Sequence, residues 1–326
     1  AQRLAGNNSR FERVGLYSSQ ELAGERGVLP RGWEACRLAS PLIRFWTLGR
    51  LSCEMLRRPP DLLFVPSHVL PFFPPPAMVT VNDVAWRLFP LAYDLKTRAY
   101  LEWSTWRAVR QASCLLAPST QTKNDLVRFF GASPDKIRVT PLGVDPIYSP
   151  LPKAGDENIR AALGLREPYL LYVGRLEEKK NSALLLRAFA SICEKIPHYL
   201  ALVGNYGRVA SEVRSIIKTF PFPERLHRVS SANAETLAAL YRGARLFIFP
   251  SKYEGFGLPI IEAMASGTPI LASDIPTLRE VGGQAPHYVK EGDERALAEE
   301  IVSLMNNPGE CERMLLLGRE TASKFS

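Results

Sequence analysis

A chain of 326 residues with 46% hydrophobic side chains is longer than one core commonly organises, which points to two folded domains and excludes a largely disordered protein. The formal charge of +8 is uneven: residues 1–150 carry 19 Lys and Arg against 12 Asp and Glu, and the remainder 22 against 21, so an anionic partner belongs with the first half. Five scattered cysteines exclude a disulfide framework or a thiolate metal site and fit a cytoplasmic protein, while prolines and His68 interrupt the most apolar stretch, residues 62–81, so no segment reads as membrane-spanning.

In chain order, short apolar runs recur at residues 62–66, 78–82, 114–119, 137–143, 169–174, 199–204, 246–251 and 269–273. Continuous rather than alternating, they predict strands covered on both faces. Apolar residues at helical spacing between them, as over 180–195 and 258–265, complete a parallel α/β pattern. Pro146, Pro150, Pro152 and Gly155-Asp156-Glu157 place a domain junction there, dividing the chain into residues 1–149 and 150–326. Ligands of doubly wound sheets sit at the carboxyl ends of strands, so two such domains would enclose a cleft.

The first half interleaves cations with large aromatics: Arg44, Phe45, Trp46, Arg50, Arg57 and Arg58, then Trp86, Arg87, Phe89, Lys96, Arg98, Tyr100, Trp103, Trp106, Arg107 and Arg110. Two readings stand. The set binds an anionic membrane surface, with the protein peripheral at the inner face, or the aromatics face the core while the cations are solvated. No nucleic-acid motif accompanies the charge. Ser119 is placed to cap a helix after the run at 114–119.

The most informative stretch is residues 250–269, Pro-Ser-Lys-Tyr-Glu-Gly-Phe-Gly-Leu-Pro-Ile-Ile-Glu-Ala-Met-Ala-Ser-Gly-Thr-Pro. A strand runs into a glycine turn, and Pro259 suits the first turn of a helix, where a missing amide is harmless. Gly255 and Gly257 let backbone approach a ligand, and free amides near Phe256, Gly257 and Leu258 face an anion. Glu254 in the turn reaches sugar hydroxyls and Glu262, one helical turn in, a ribose diol. The plainer reading is a turn followed by a solvated helix.

Upstream, Tyr172-Val173-Gly174-Arg175-Leu176-Glu177-Glu178-Lys179-Lys180-Asn181 ends another predicted strand. Together the two stretches resemble the retaining glycosyltransferase family with the Glu-x-seven-Glu signature, over roughly residues 60–326. The resemblance implies a GT-B fold, in which two Rossmann-like domains face each other across a donor cleft. It implies a hexosyl transfer, with retention, from a nucleotide-diphosphate sugar such as GDP-mannose or a UDP-hexose to a glycan or lipid-linked saccharide acceptor.

By the same resemblance Arg175 and Lys180, beside Gly174, clamp the donor diphosphate, a fork and a point charge opposing a dianionic leaving group. Lys179 is expected to point away. Backbone at Val229 holds the base, or the stretch is a plain strand-to-loop turn. Val79-Thr80-Val81-Asn82-Asp83 matches a segment that usually reads Val-His-Asp. Asn82 here can hydrogen-bond a hydroxyl but carries no proton. His68 either lines the acceptor side with Asp83 or is a satisfied loop histidine, and Gly143, in Pro141-Leu142-Gly143-Val144-Asp145, supplies an unusual backbone angle near the cleft. His198, His227 and His287 show no ligand spacing, and without an Asp-x-Asp motif no metal or other cofactor is expected.

The family's opening strand and glycine-rich loop are not found before Phe11, so the chain is expected to start at the family's second strand and to stop before its closing helix. A GT-B nucleotide-sugar epimerase and a non-catalytic nucleotide-sugar-binding protein are the rival readings. A dinucleotide dehydrogenase is disfavoured, because Gly255-Phe256-Gly257 lacks a third glycine.

Overall fold

The computed structural model describes residues 11–20, 29, 31–40 and 45–325. The question of an opening strand before Phe11 and the cation Arg44 lie outside the described residues. The chain divides into two compact units, residues 1–80 with 102–116 and residues 81–101 with 117–326. Residues 117–149 fall in the same compact unit as the C-terminal half.

In the first unit β1 (Val14–Ser18) pairs in parallel with β2 (Trp33–Arg37), and β3 (Leu63–Val65), β4 (Ala77–Thr80) and β5 (Cys114–Ala117) form parallel neighbours in that order. The interleaved residues depart from the reading in which aromatics face the core and cations are solvated. Arg107 is buried, donates to the carbonyls of Leu70, Pro71 and Phe72, and lies between the rings of Phe72 and Trp103 at 5.2 and 5.1 Å. The indoles of Trp103 and Trp106 stay partly exposed, with Arg110 over Trp106. The charge of Arg107 is thus met by carbonyl dipoles and ring faces.

The second unit begins with the turn after Val81. Ser119 accepts from the Thr122 amide and caps the helix Thr120–Phe130, as expected, and β6 (Ile137–Val139) follows. Then β7 (Tyr169–Val173), β8 (Tyr199–Val203), β9 (Leu226–Val229), β10 (Leu246–Phe249), β11 (Ile270–Ser273) and β12 (His287–Val289) build one parallel sheet in the order β12-β11-β10-β7-β8-β9.

Every residue of β7, β10 and β11 is buried, because both faces are covered. Leu170, Tyr172, Ile248 and Leu271 pack on one side with the helix Ser182–Ala190. Tyr169, Leu171, Phe247 and Phe249 pack on the other with the helices Ala234–Gly243 and Leu258–Ala265. The strand order turns outward from β7, with β8 to one side and β10 to the other. That reversal leaves a crevice at the carboxyl ends of β7 and β10, where the two motif stretches begin.

Among the described residues no helix is long and apolar enough to cross a membrane.

Candidate functional site

β10 is an unbroken Leu-Phe-Ile-Phe run whose burial leaves it no alternative to a central strand. At its end the chain turns through residues 250–257, and the helix Leu258–Ala265 starts where the sequence predicts. Gly257 takes φ 96°, and a Cβ there would also meet Leu278 at 2.9 Å. A left-handed residue without a side chain is what lets the turn enter the helix at this angle. Pro259 occupies the first turn and gives up no intrahelical bond.

Glu254 lies in that turn and is 6% exposed. Its backbone carbonyl accepts from Thr277 Oγ1 at 2.9 Å, which fixes the turn against the helix Pro276–Gly282. Its carboxylate accepts from Lys180 Nζ at 2.6 Å. Lys180 comes from the short turn Glu178–Lys180 after β7, and Asn181, at φ 55°, redirects the chain into the helix Ser182–Ala190. The ammonium also stands 5.2 Å from the centre of the Phe249 ring. Two stretches 74 residues apart in sequence thus meet in one ion pair.

Gly255 makes a close backbone approach within the protein itself. A Cβ there would collide with the carbonyl oxygen of Asn82 and come within 2.9 Å of Asp83 Cβ. The Gly255 carbonyl accepts from Ser119 Oγ at 2.6 Å and Thr122 Oγ1 at 3.1 Å. Thr122 Oγ1 also reaches the Asn82 carbonyl at 3.3 Å. The Asn82 turn is therefore seated on the Glu254 turn by backbone contact, with the Asn82 side chain left exposed.

Lys179 corrects another expectation. It is buried, and Nζ stands 3.7 Å from Asp83 Oδ2. Its carbonyl accepts from the Lys252 amide at 2.9 Å, so the two motif loops hydrogen-bond directly. Charge explains the inward turn, since Asp83 supplies the partner that a buried ammonium needs. Nothing in the local spacing distinguishes Lys179 from Lys180; the partner lies 96 residues upstream.

Arg175 is exposed, and its guanidinium approaches Glu177 at 3.9 Å. The Glu262 carboxylate accepts from the Tyr241 hydroxyl at 3.1 Å, and burial raises its pKa while the Tyr241 and Tyr148 hydroxyls pull it back. Val229 is buried, and its carbonyl accepts from the Gly204 amide at 2.8 Å. Gly143 does not take the unusual backbone angle expected of it. It leaves room for the Phe325 carbonyl, 3.2 Å from where a Cβ would be, and Phe325 also accepts from Val144. His68 lies half-buried in the first unit, after β3.

Sequence reading missed a buried hydroxyl–carboxylate pair: Tyr253 donates to Asp125 at 2.8 Å, and burial raises the pKa of both. Asp125 lies on the inner face of the helix that Ser119 caps, a helical period that could have flagged it but not its partner.

Residues 155–320 match the family described as glycosyl transferases group 1, and residues 5–147 match glycosyltransferase family 4. The chain belongs to the group 1 glycosyltransferases. This glycosyltransferase is 28% identical over 297 residues to the O-antigen chain mannosyltransferase B of Escherichia coli, across 90% of the present chain and 76% of that one. It spans about half the length of several other curated relatives, 50 to 54%.

Among solved structures, sucrose-phosphate synthase from Thermosynechococcus elongatus superposes with TM-score 0.69 at 25% identity, covering 93% of this chain and 77% of the other. Anabaena HepE in complex with UDP-glucose gives TM-score 0.72 at 18% identity, covering 92% and 83%. The glycosyltransferase has the GT-B fold, α/β with parallel sheets.

Proposed function

We propose that this glycosyltransferase moves a hexosyl group, with retention, from a nucleotide-diphosphate sugar to a glycan or lipid-linked acceptor in polysaccharide or cell-envelope biosynthesis. The observation that carries the reading is the Lys180–Glu254 contact at 2.6 Å, which brings a cation from the end of β7 to the helix start after β10. A diphosphate arriving there takes Lys180 as its counter-ion and the open amides of the helix Leu258–Ala265 as donors. Released from Lys180, the Glu254 carboxylate turns to the sugar hydroxyls. Arg175, exposed beside Gly174, is free to swing onto the second phosphate.

The same arrangement supports a metal-independent, front-face transfer, with charge on the departing diphosphate balanced by these cations and amides. Asn82, seated on Gly255, offers its amide to the sugar next to the reacting carbon. The mannosyltransferase relative favours a mannosyl donor, with GDP-mannose the one the sequence resemblance implies; the neighbour solved with UDP-glucose keeps a UDP-hexose in view. Cytoplasmic work beside the inner membrane face fits the basic first half.

Thermal unfolding with UDP, GDP, ADP and their sugars tests the reading. The cognate diphosphate at a hundred times its Kd adds about 2.7 kcal/mol to folding stability. Turnover of the cognate sugar nucleotide persists in EDTA, with the anomeric configuration kept in the product. No shift with any nucleotide, or turnover abolished by EDTA, overturns it.

A further inference from the structure

Beside the Gly174–Asn181 motif lies a groove of about 600 Å3 that the transfer chemistry above does not use. It is lined by the segment 90–98 and by Arg208, all within the second unit. Its walls combine two kinds of chemistry. Leu91 and Leu95 are 74% and 81% exposed, an unusual cost for two leucines placed together. Lys96, Arg98 and Arg208 supply three cations against one carboxylate, Asp94.

Asp94 is already engaged: it accepts from the Thr97 amide and hydroxyl and from Arg208 Nη1, each at 2.8 Å. The charge left over is positive, and the remaining N–H groups of Arg208 are open to a second anion.

The groove is tied to the candidate site. Arg208 follows Gly207, whose amide donates to the Leu176 carbonyl at 3.0 Å. A Cβ on Gly207 would strike the Glu177 carboxylate, 2.6 Å away. Arg208 is thereby fixed against the loop that carries Arg175. On the opposite wall Tyr93 is half-buried within electrostatic reach of Asp83, Glu177 and Arg175, and burial pushes its hydroxyl up to about 12. It stays a neutral donor at the join between groove and site.

We propose that this groove binds the phosphate of an amphiphilic acceptor, with Lys96, Arg98 and Arg208 on the phosphate and Leu91 and Leu95 against its apolar chain. This rests on the transferase reading for the word acceptor, but the binding itself does not need a donor. It narrows the acceptor from a saccharide in general to one carried on a lipid phosphate.

Calorimetric titration of the chain without nucleotide tests it, using farnesyl phosphate, farnesol and inorganic phosphate below the micelle range. Farnesyl phosphate binds at least about tenfold more tightly than either of the others. Lys96→Ala with Arg98→Ala weakens farnesyl phosphate by about tenfold or more and leaves farnesol unchanged. Leu91→Ser with Leu95→Ser weakens farnesyl phosphate and leaves inorganic phosphate unchanged. All four positions are exposed, so the variants fold. Farnesol equal to farnesyl phosphate, inorganic phosphate equal to it, or either double variant binding like the parent overturns the assignment. UDP and GDP thermal shifts on the same samples read the donor site separately, so a chain that binds no nucleotide sinks the transferase reading while the titration still decides the groove.

Discussion

The Lys180 ammonium rests 2.6 Å from the Glu254 carboxylate, with side chains 15% and 7% exposed. Each group holds the other ready at a place where neither could be left alone. Burying an isolated ammonium or carboxylate costs far more than the pair does. On the proposed function, an arriving diphosphate would replace one anion with another and free Glu254 beside the sugar.

Exchange of that kind separates the two residues experimentally. Lys180→Ala removes the cation and abolishes the thermal shift by UDP or GDP. Glu254→Gln keeps the shape and the cation, so the nucleotide shift survives while kcat falls by roughly 100- to 1000-fold, the scale of one lost transition-state contact. Equal loss of nucleotide binding in both variants would place Glu254 on the phosphate side and refute the division of labour.

Gly255 and Gly257 should fail for different reasons. Gly255→Ala drives a methyl into the Asn82 carbonyl, and overpacking a well-filled contact costs about 1–3 kcal/mol. Because Asn82 rides on that contact, turnover falls more than stability alone explains. Gly257→Ala pays for a left-handed backbone, about 1–2 kcal/mol, plus the contact with Leu278. Urea unfolding with parallel donor-hydrolysis assays distinguishes them; a Gly255→Ala protein with parental stability and turnover contradicts the seating of Asn82 on this turn.

How much of this was legible beforehand follows from the range of the forces involved. Strands β7, β8, β10 and β11 were readable because burial on both faces leaves a continuous apolar run, and the helix Leu258–Ala265 because Gly257 and Pro259 mark its start. Strands β1, β2 and β12 were not, since Val14–Ser18, Trp33–Arg37 and His287–Val289 are half-exposed and carry no such run. Pairings that depend on distant partners were equally silent: Lys179 with Asp83, Tyr253 with Asp125, and Gly255 with the Asn82 carbonyl. The glycine turn before a helix start points to Glu254 and family likeness to Lys180, and only coordinates show them touching.

A second buried pair holds the helix Asp156–Ala162 to the helix Ala234–Gly243. Arg242 meets Asp156 through two nitrogens at 2.6 and 2.7 Å, with side chains 5% and 9% exposed, and this holds the Asp156 carboxyl below its ordinary range. Asp156→Ala leaves a buried guanidinium without its carboxylate and costs about 3–5 kcal/mol. Asp156→Ala with Arg242→Met removes both charges and recovers much of that loss. A double variant no more stable than the single one would mean that lost packing, not the stranded charge, sets the cost.

His198 sets an acid limit on the same unit. It is 9% exposed just before β8, and burial first, then Arg245 and Arg225, holds its pKa below the ordinary 6.5. Arg225 fixes the local chain by donating to the His198 and Ile196 carbonyls at 2.6 Å each. A depressed pKa means that the unfolded chain takes up a proton first. The stabilising contribution of neutral His198 is therefore complete above about pH 6.5 and is lost as pH falls toward the folded value. His198→Gln removes the titration while keeping a polar side chain of similar reach. Its melting temperature falls less steeply than the parent's between pH 7 and pH 5, and the two curves run parallel above pH 7. Parallel curves across the whole range would show that other groups carry the acid sensitivity and that His198 is protonated in the fold without penalty.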